Sequence, residues 1–312
     1  MTHFRGRPRR PSLTSVGRDN ATAVGSSLAV TSVAAVQFGA SVAEHLFDRV
    51  GPVGTVALRL VTASVVLVAC TRPWRQRFTR ADVRAAAVFG LVFAGMNTLL
   101  YLAIDRLPMA TAITLEFLGP LVLSIVAAAN WSVRVWSLPA AAGVALLGGE
   151  LHGGDLLGVL CALGAACCWA GYILVSGRVG RTGTGLAGLA VASSMASVVT
   201  LPLGLAFAGS DLFRPTTVLI GLSVGLLSSA IPYSLDLLAL RRLPTAVFGV
   251  LTSLNPGVAA LAGYLVLDQA VGLRSLGGLA LVSLASIGVT VTPALRRQRV
   301  RLAEPEWSAP GA

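Results

Sequence analysis

The chain has 312 residues, 55% hydrophobic and only 12% charged, with a formal net charge of +11. Soluble domains carry about 25% charged residues. With a mean hydropathy of +0.79, this composition excludes a soluble enzyme, a secreted disulfide scaffold and a disordered chain.

A membrane-spanning helix takes about 20 residues. The apolar runs predict spans at 24–43, 53–71, 85–104, 109–129 and a short fifth at 135–149. A second set follows at 156–176, 185–207, 216–240, 245–267 and 272–292. An Arg-rich tail occupies 1–23 and a second tail 293–312. The first apolar run is longer than the h-region of a signal peptide, and nine spans follow it, so it is expected to remain as a helix.

Every basic residue except the three histidines is Arg, and nineteen of the 24 fall in the tails and alternate loops of one side. The other side has Arg49, Arg106, Arg214 and Arg274, and Arg59 lies inside span two. The positive-inside rule puts both termini in the cytoplasm, in a cytoplasmic or inner membrane. The basic charge thus reads as a mark of orientation toward an anionic leaflet, and no nucleic-acid partner is expected.

Residues 102–120 (LAIDRLPMATAITLEFLGP) and 238–256 (LALRRLPTAVFGVLTSLNP) align at an offset of 136. Arg106/Arg242, Leu107/Leu243, Pro108/Pro244, Ala110/Ala246, Leu115/Leu251, Leu118/Leu254 and Pro120/Pro256 are identical pairs. Five spans separate the copies, and an odd number inverts the second across the membrane, as in secondary transporters. The expected fold is an all-α membrane protein of ten transmembrane helices, built as two inverted five-helix repeats at 24–149 and 150–292. Leu-Pro places Pro at a helix start, where its missing N–H is harmless. Pro120, Pro232 and Pro256 fall mid-span, where each removes a backbone bond and is expected to break its helix. In lipid such a break is tolerated only against protein or a wet cavity.

Charges inside a bilayer face the bundle interior or water. At 1.5 Å per residue, Glu116 lies about 12 Å and Arg59 about 9 Å from the outer ends of their spans. Asp236 lies about 8 Å from the cytoplasmic end of its own. Glu116 and Asp236 read either as proton-coupling acids or as structural groups, with Asp236 snorkelling to the surface. Arg59 reads as a bidentate partner for a substrate carboxylate or as the ion-pair partner of Glu116. Gln37, Asn97, Ser228 and Asn255 share mid-depth with Trp169 and Tyr172 close by, which fits either a cavity wall or interhelical hydrogen bonding.

Cys70, Cys161, Cys167 and Cys168 sit in apolar runs without CxxC spacing, and His3, His45 and His152 are scattered, so no metal site is expected. Gly183, Gly185 and Gly188 match GxGxxG, but a membrane helix precedes them where a dinucleotide fold needs a strand. There is no Walker loop, so neither ATP nor a cofactor is expected.

The stretches QFGASVAEHLF (37–47), GTVALRL (54–60), YLAIDRLPMATAITLEFLGPL (101–121) and PYSLDLLALRRLPTAVFGVLTSLNPGVAALAG (232–263) carry a resemblance. Over about residues 24–292 the chain resembles EamA-type members of the drug/metabolite transporter superfamily, and among them bacterial threonine/homoserine exporters. The resemblance implies export of small amino acids in exchange for protons, with Arg59, Glu116 and Asp236 on matching motif positions. Two departures stand out: Asn255 and Asp268-Gln269 replace the Glu and the Gly-Glu that relatives often carry. Export of another metabolite or a drug is the second reading. A lipid-modifying membrane enzyme would need acids or histidines clustered at one face, and a scaffold would leave the buried acids dispensable.

Overall fold

The computed structural model describes residues 13–76, 78–128, 130–148, 155–179 and 185–303. Among these, ten helices carry the fold. They are α1 (Leu13–Glu44), α2 (Phe47–Thr71), α3 (Arg80–Ile104), α4 (Met109–Ala127) and α5 (Ser137–Gly148, entered through a turn at Trp131–Arg134). There follow α6 (Leu156–Val179), α7 (Gly185–Ala208), α8 (Pro215–Leu240), α9 (Thr245–Leu267) and α10 (Leu273–Ala303). Nine are long and apolar enough to cross a bilayer, and the tenth, α5 with its entry turn, is the shorter apolar helix Trp131–Leu147. The chain is an all-α, multi-pass membrane protein.

The predicted tails are partly helical, because α1 starts at Leu13 and α10 continues to Ala303. Arg, Leu, Ala and Gln of the C-terminal tail are good helix formers, so leaving the apolar run does not end α10. Residues 1–12 and 304–312 of those tails, with His3, His152 and the Gly183 end of the glycine motif, lie outside the described residues.

The helix packing has a two-fold relation. Helix α3 packs on α6 as α8 packs on α1, α3 on α7 as α8 on α2, and α4 on α6 as α9 on α1. The remaining main pairs, α2 with α7, α4 with α9 and α5 with α10, map onto themselves when the two sets of five are exchanged. Helices α5 and α10 meet at Gly143 and Gly278, where a Cβ on either would lie 2.8 Å from the other's carbonyl oxygen. Small residues let backbones approach closely in lipid.

The repeated Leu-Pro motifs form matching hairpins. In the α3–α4 turn Leu107 N–H donates to Ala103 O at 2.8 Å and Ala112 N–H to Pro108 O at 3.1 Å. In the α8–α9 turn Leu243 donates to Ala239 and Phe248 to Pro244 at the same two distances. Leu107 packs against Gly158 at the start of α6, and Leu243 against Gly25 in the first half of α1. The hairpins differ in their arginines. Arg106 Nη1 pairs with Asp155 at 2.8 Å and holds that carboxyl below the usual carboxylate range. Arg242 donates instead to the Leu238 carbonyl of its own helix at 2.9 Å.

The three mid-span prolines behave differently. At Pro256 the expected break occurs, with α9 divided into Thr245–Thr252 and Asn255–Leu267. Pro232 follows a π-helical turn at Leu226–Ala230, so α8 widens rather than breaks. Pro120 corrects the expectation: α4 runs unbroken from Met109 to Ala127. One missing rung is tolerable there because Gly119 lies directly against the Ala166 backbone of α6, and that packing holds the helix in line.

The largest apolar cluster lies around the α3–α4 turn and includes Tyr101, Ile104, Leu107, Met109 and Ala112. It closes the face of the bundle away from the described chain ends.

Candidate functional site

A cavity of about 410 Å³ lies between α1–α4, α6 and α8–α10. Small-molecule sites commonly span about 300–1,000 Å³. Its wall includes Gln37, Arg59, Asn97, Glu116, Trp169, Tyr172, Ser228, Asp236 and Asn255, together with Pro120. Every polar, charged and aromatic residue singled out from the sequence thus reaches one space, while Pro232 and Pro256 stand behind the wall. Toward the face of the chain ends the cavity extends to Ser124, Asp236 and Phe248; toward the other face it stops at Ala40, Leu100 and Ile113, beneath the apolar cluster.

Two of the prolines position polar groups by what they withhold. In a regular α-helix the N–H of residue 232 would bond the carbonyl of residue 228, and proline has no N–H. Arg59 supplies the donor: its Nη2 gives a hydrogen bond to the Ser228 carbonyl at 2.8 Å. Its Nε donates to Ser229 Oγ and its Nη1 to the Tyr101 hydroxyl, each at 3.0 Å. The guanidinium carbon stands 5.3 Å from the Tyr101 ring centroid, within cation–π range. Arg59 is 5% exposed, and three of its five N–H groups are directed by the protein. Among the described residues the ion pairs are Arg106–Asp155 and Arg214–Asp211. Arg59 and Glu116 therefore share the cavity wall without pairing, and the simple ion-pair reading fails.

The second proline acts in the same way. Pro256 leaves the Thr252 carbonyl free, and Asn255 Nδ2 donates to it at 2.8 Å. That turns Asn255 Oδ1 outward, where it accepts from Gln37 Nε2 at 2.9 Å, with the Asn255 carbonyl a further acceptor at 3.3 Å.

Glu116 is 5% exposed on the α4 wall. Asp236 is only half-buried, with the Ser32 hydroxyl beside it, on the part of the cavity nearer the chain-end face. Asn97 Nδ2 donates to Phe93 O at 2.8 Å. Trp169 meets Phe117 edge-on at 5.3 Å, and Tyr172 leads into Phe93 and Tyr233, with ring centroids 6.1 and 5.7 Å apart along the chain of contacts.

Sequence reasoning missed Tyr101, Ser229 and Tyr233. A phenol inside an apolar run was the available signal, since a buried Tyr hydroxyl seeks a partner. It also left Glu44 aside. At the far face Gln269 Oε1 accepts from Met109 N–H at 2.9 Å while its Nε2 donates to Glu44 Oε1 at 3.3 Å. One carboxamide thus ties α1, the start of α4 and the α9–α10 loop.

Helices related by a two-fold exchange around a mid-depth polar cavity define a multi-pass membrane protein of the transporter class. The EamA-like transporter family model matches residues 156–291. The chain is 38% identical over 270 residues to the threonine/homoserine exporter RhtA of Salmonella typhimurium strain LT2, covering 85% of this chain and 90% of that one. Against the protein of the same name from Escherichia coli strain K12 it is 38% identical over 266 residues, covering 84% and 90%. An uncharacterized transporter of Bacillus subtilis, YwfM, is 28% identical over 46% of this chain and 48% of its own. One solved crystal structure superposes with a TM-score of 0.60 at 20% identity, over 89% of this chain and 99% of that one, and shows the fold alone. This chain belongs to the EamA-like transporter family.

Proposed function

We propose that this protein exports threonine- and homoserine-like amino acids by alternating access, in exchange for protons. The carrying observation is Arg59: a buried guanidinium on a cavity wall, hydrogen-bonded by neutral groups and, among the described residues, with no carboxylate in ion-pair contact. A buried charge is costly unless paired, and the carboxylate of a zwitterionic substrate supplies the counter-charge in a bidentate geometry. Glu116, on the same wall, is matched to the ammonium and is the carboxyl placed to exchange a proton for it. Likeness over most of the chain to two exporters named for threonine and homoserine supports the substrate class.

The two sets of five helices, 24–149 and 150–292, are the moving halves in this reading, and the exchange symmetry of their packing supports it. The arginine distribution supports cytoplasmic termini in an inner membrane, which makes the cavity's reach toward Asp236 and Phe248 an approach from the cytoplasm. The test is reconstitution into liposomes with labelled threonine and homoserine, with and without a pH gradient. The expected result is gradient-driven flux of both; no flux of any small amino acid would remove the reading.

A further inference from the structure

We infer that Gln37 reads the side-chain hydroxyl of the transported amino acid, an assignment that rests on the reading above and adds the specificity-determining group to it. The contacts start at Pro256. Without a proline N–H, the Thr252 carbonyl takes Asn255 Nδ2, which fixes Asn255 Oδ1 as an acceptor. Both atoms that Asn255 offers to Gln37, Oδ1 and the main-chain carbonyl, are then acceptors. The Gln37 amide has one orientation that satisfies them, with Nε2 donating. Its Oε1 is left buried and without a protein partner, on a side chain that lines the cavity and is only 2% exposed.

A buried acceptor left without a donor is destabilising, so a ligand that brings a donor to Oε1 is favoured over one that does not. A zwitterionic amino acid brings an ammonium and, when hydroxylated, an O–H. The ammonium is matched to the Glu116 charge, while a neutral amide oxygen is suited to a neutral donor. The hydroxyl of Ser228 also lacks a partner, but it is packed against Gly39, so of the two unpartnered buried atoms in the cavity lining, Gln37 Oε1 is the amide acceptor. A site that hydrogen-bonds a substrate hydroxyl discriminates strongly against the analogue lacking it, because its own polar group is then stranded.

Threonine and homoserine share one deoxy analogue, 2-aminobutyrate, so a single probe reports on both hydroxyl positions. Initial rates for the three amino acids are compared in proteoliposomes for the wild-type protein, Gln37→Met and Asn255→Ala. Wild type is expected to prefer the hydroxylated pair by about tenfold or more. Gln37→Met, which keeps the length and loses the amide, is expected to bring the ratio toward one. Asn255→Ala, which keeps Gln37 but releases its orientation, is expected to lower the ratio partway and covers the case in which Gln37→Met does not assemble. A ratio unchanged in both variants overturns the assignment. So does an equal fall for all three amino acids, which places Oε1 on the ammonium. A wild-type protein that carries 2-aminobutyrate as well as threonine sinks this inference alone; one that carries none of the three sinks the transport reading as well.

Discussion

Pro232 and Arg59 act on the same atom, the carbonyl oxygen of Ser228. The proline withholds the donor that an α-helix would supply, and the arginine provides one at 2.8 Å from another helix. A feature that weakens α8 therefore positions the charge on which the substrate reading depends.

Pro232→Ala separates the two effects. It returns an N–H that competes with Arg59 for the Ser228 carbonyl and removes a ring that opposes regular helix. The thermal midpoint is expected to rise while threonine flux falls by roughly tenfold, the order of a charge-assisted hydrogen bond worth about 1.5–3 kcal/mol. Flux and stability rising together would break the link between this proline and Arg59.

Arg59→Lys retains the charge and loses the fork. A single ammonium cannot serve Ser229, Tyr101 and the Ser228 carbonyl while also presenting two parallel donors to a carboxylate. Threonine transport is expected to fall at least tenfold, with the loss appearing chiefly in KM. A wild-type KM in the lysine variant argues against carboxylate recognition by Arg59.

Glu116→Gln keeps shape and removes the titratable group. Assembly, followed by size-exclusion profile and thermal midpoint, is expected to survive, while flux driven by a pH gradient is lost. Wild-type flux under the gradient returns Glu116 to a packing role.

Gly25→Val and Gly158→Val test the matched hairpins together. A Cβ at Gly25 would stand 2.7 Å from Leu243 Cγ, and one at Gly158 would stand 2.9 Å from Leu107 Cγ. Overpacking typically costs about 1–3 kcal/mol, and the two variants are expected to lower the thermal midpoint by similar amounts. Destabilisation by only one of them would show that the two hairpins do not bear equal packing.

The hairpins were legible because Leu-Pro at a helix start is a local signal, and the offset of 136 marked it twice. The gathering of nine residues on one cavity followed from depth alone, since intramembrane polar groups have few places to go. The outcome at each proline was not legible. Whether a missing N–H breaks a helix, widens it or leaves it straight depends on what packs beside it: Asn255 and Gln37 at Pro256, Arg59 at Pro232, and the Ala166 backbone at Pro120. Gln269 was visible only as a departure from its relatives. Its bonds to Met109 and Glu44 join segments distant in the chain, and spacing carries no trace of them.

The two matching hairpins are fastened unequally. At one face Arg106 is pinned by Asp155 and the next helix start is held by Gln269; at the other, among the described residues, Arg242 donates to the Leu238 carbonyl of its own helix. Under the proposed alternating access, a difference between the fastenings of two faces made from the same parts biases the resting population toward one of two conformations. Removing the Asp155 carboxylate from Arg106 would then shift that bias without touching the cavity.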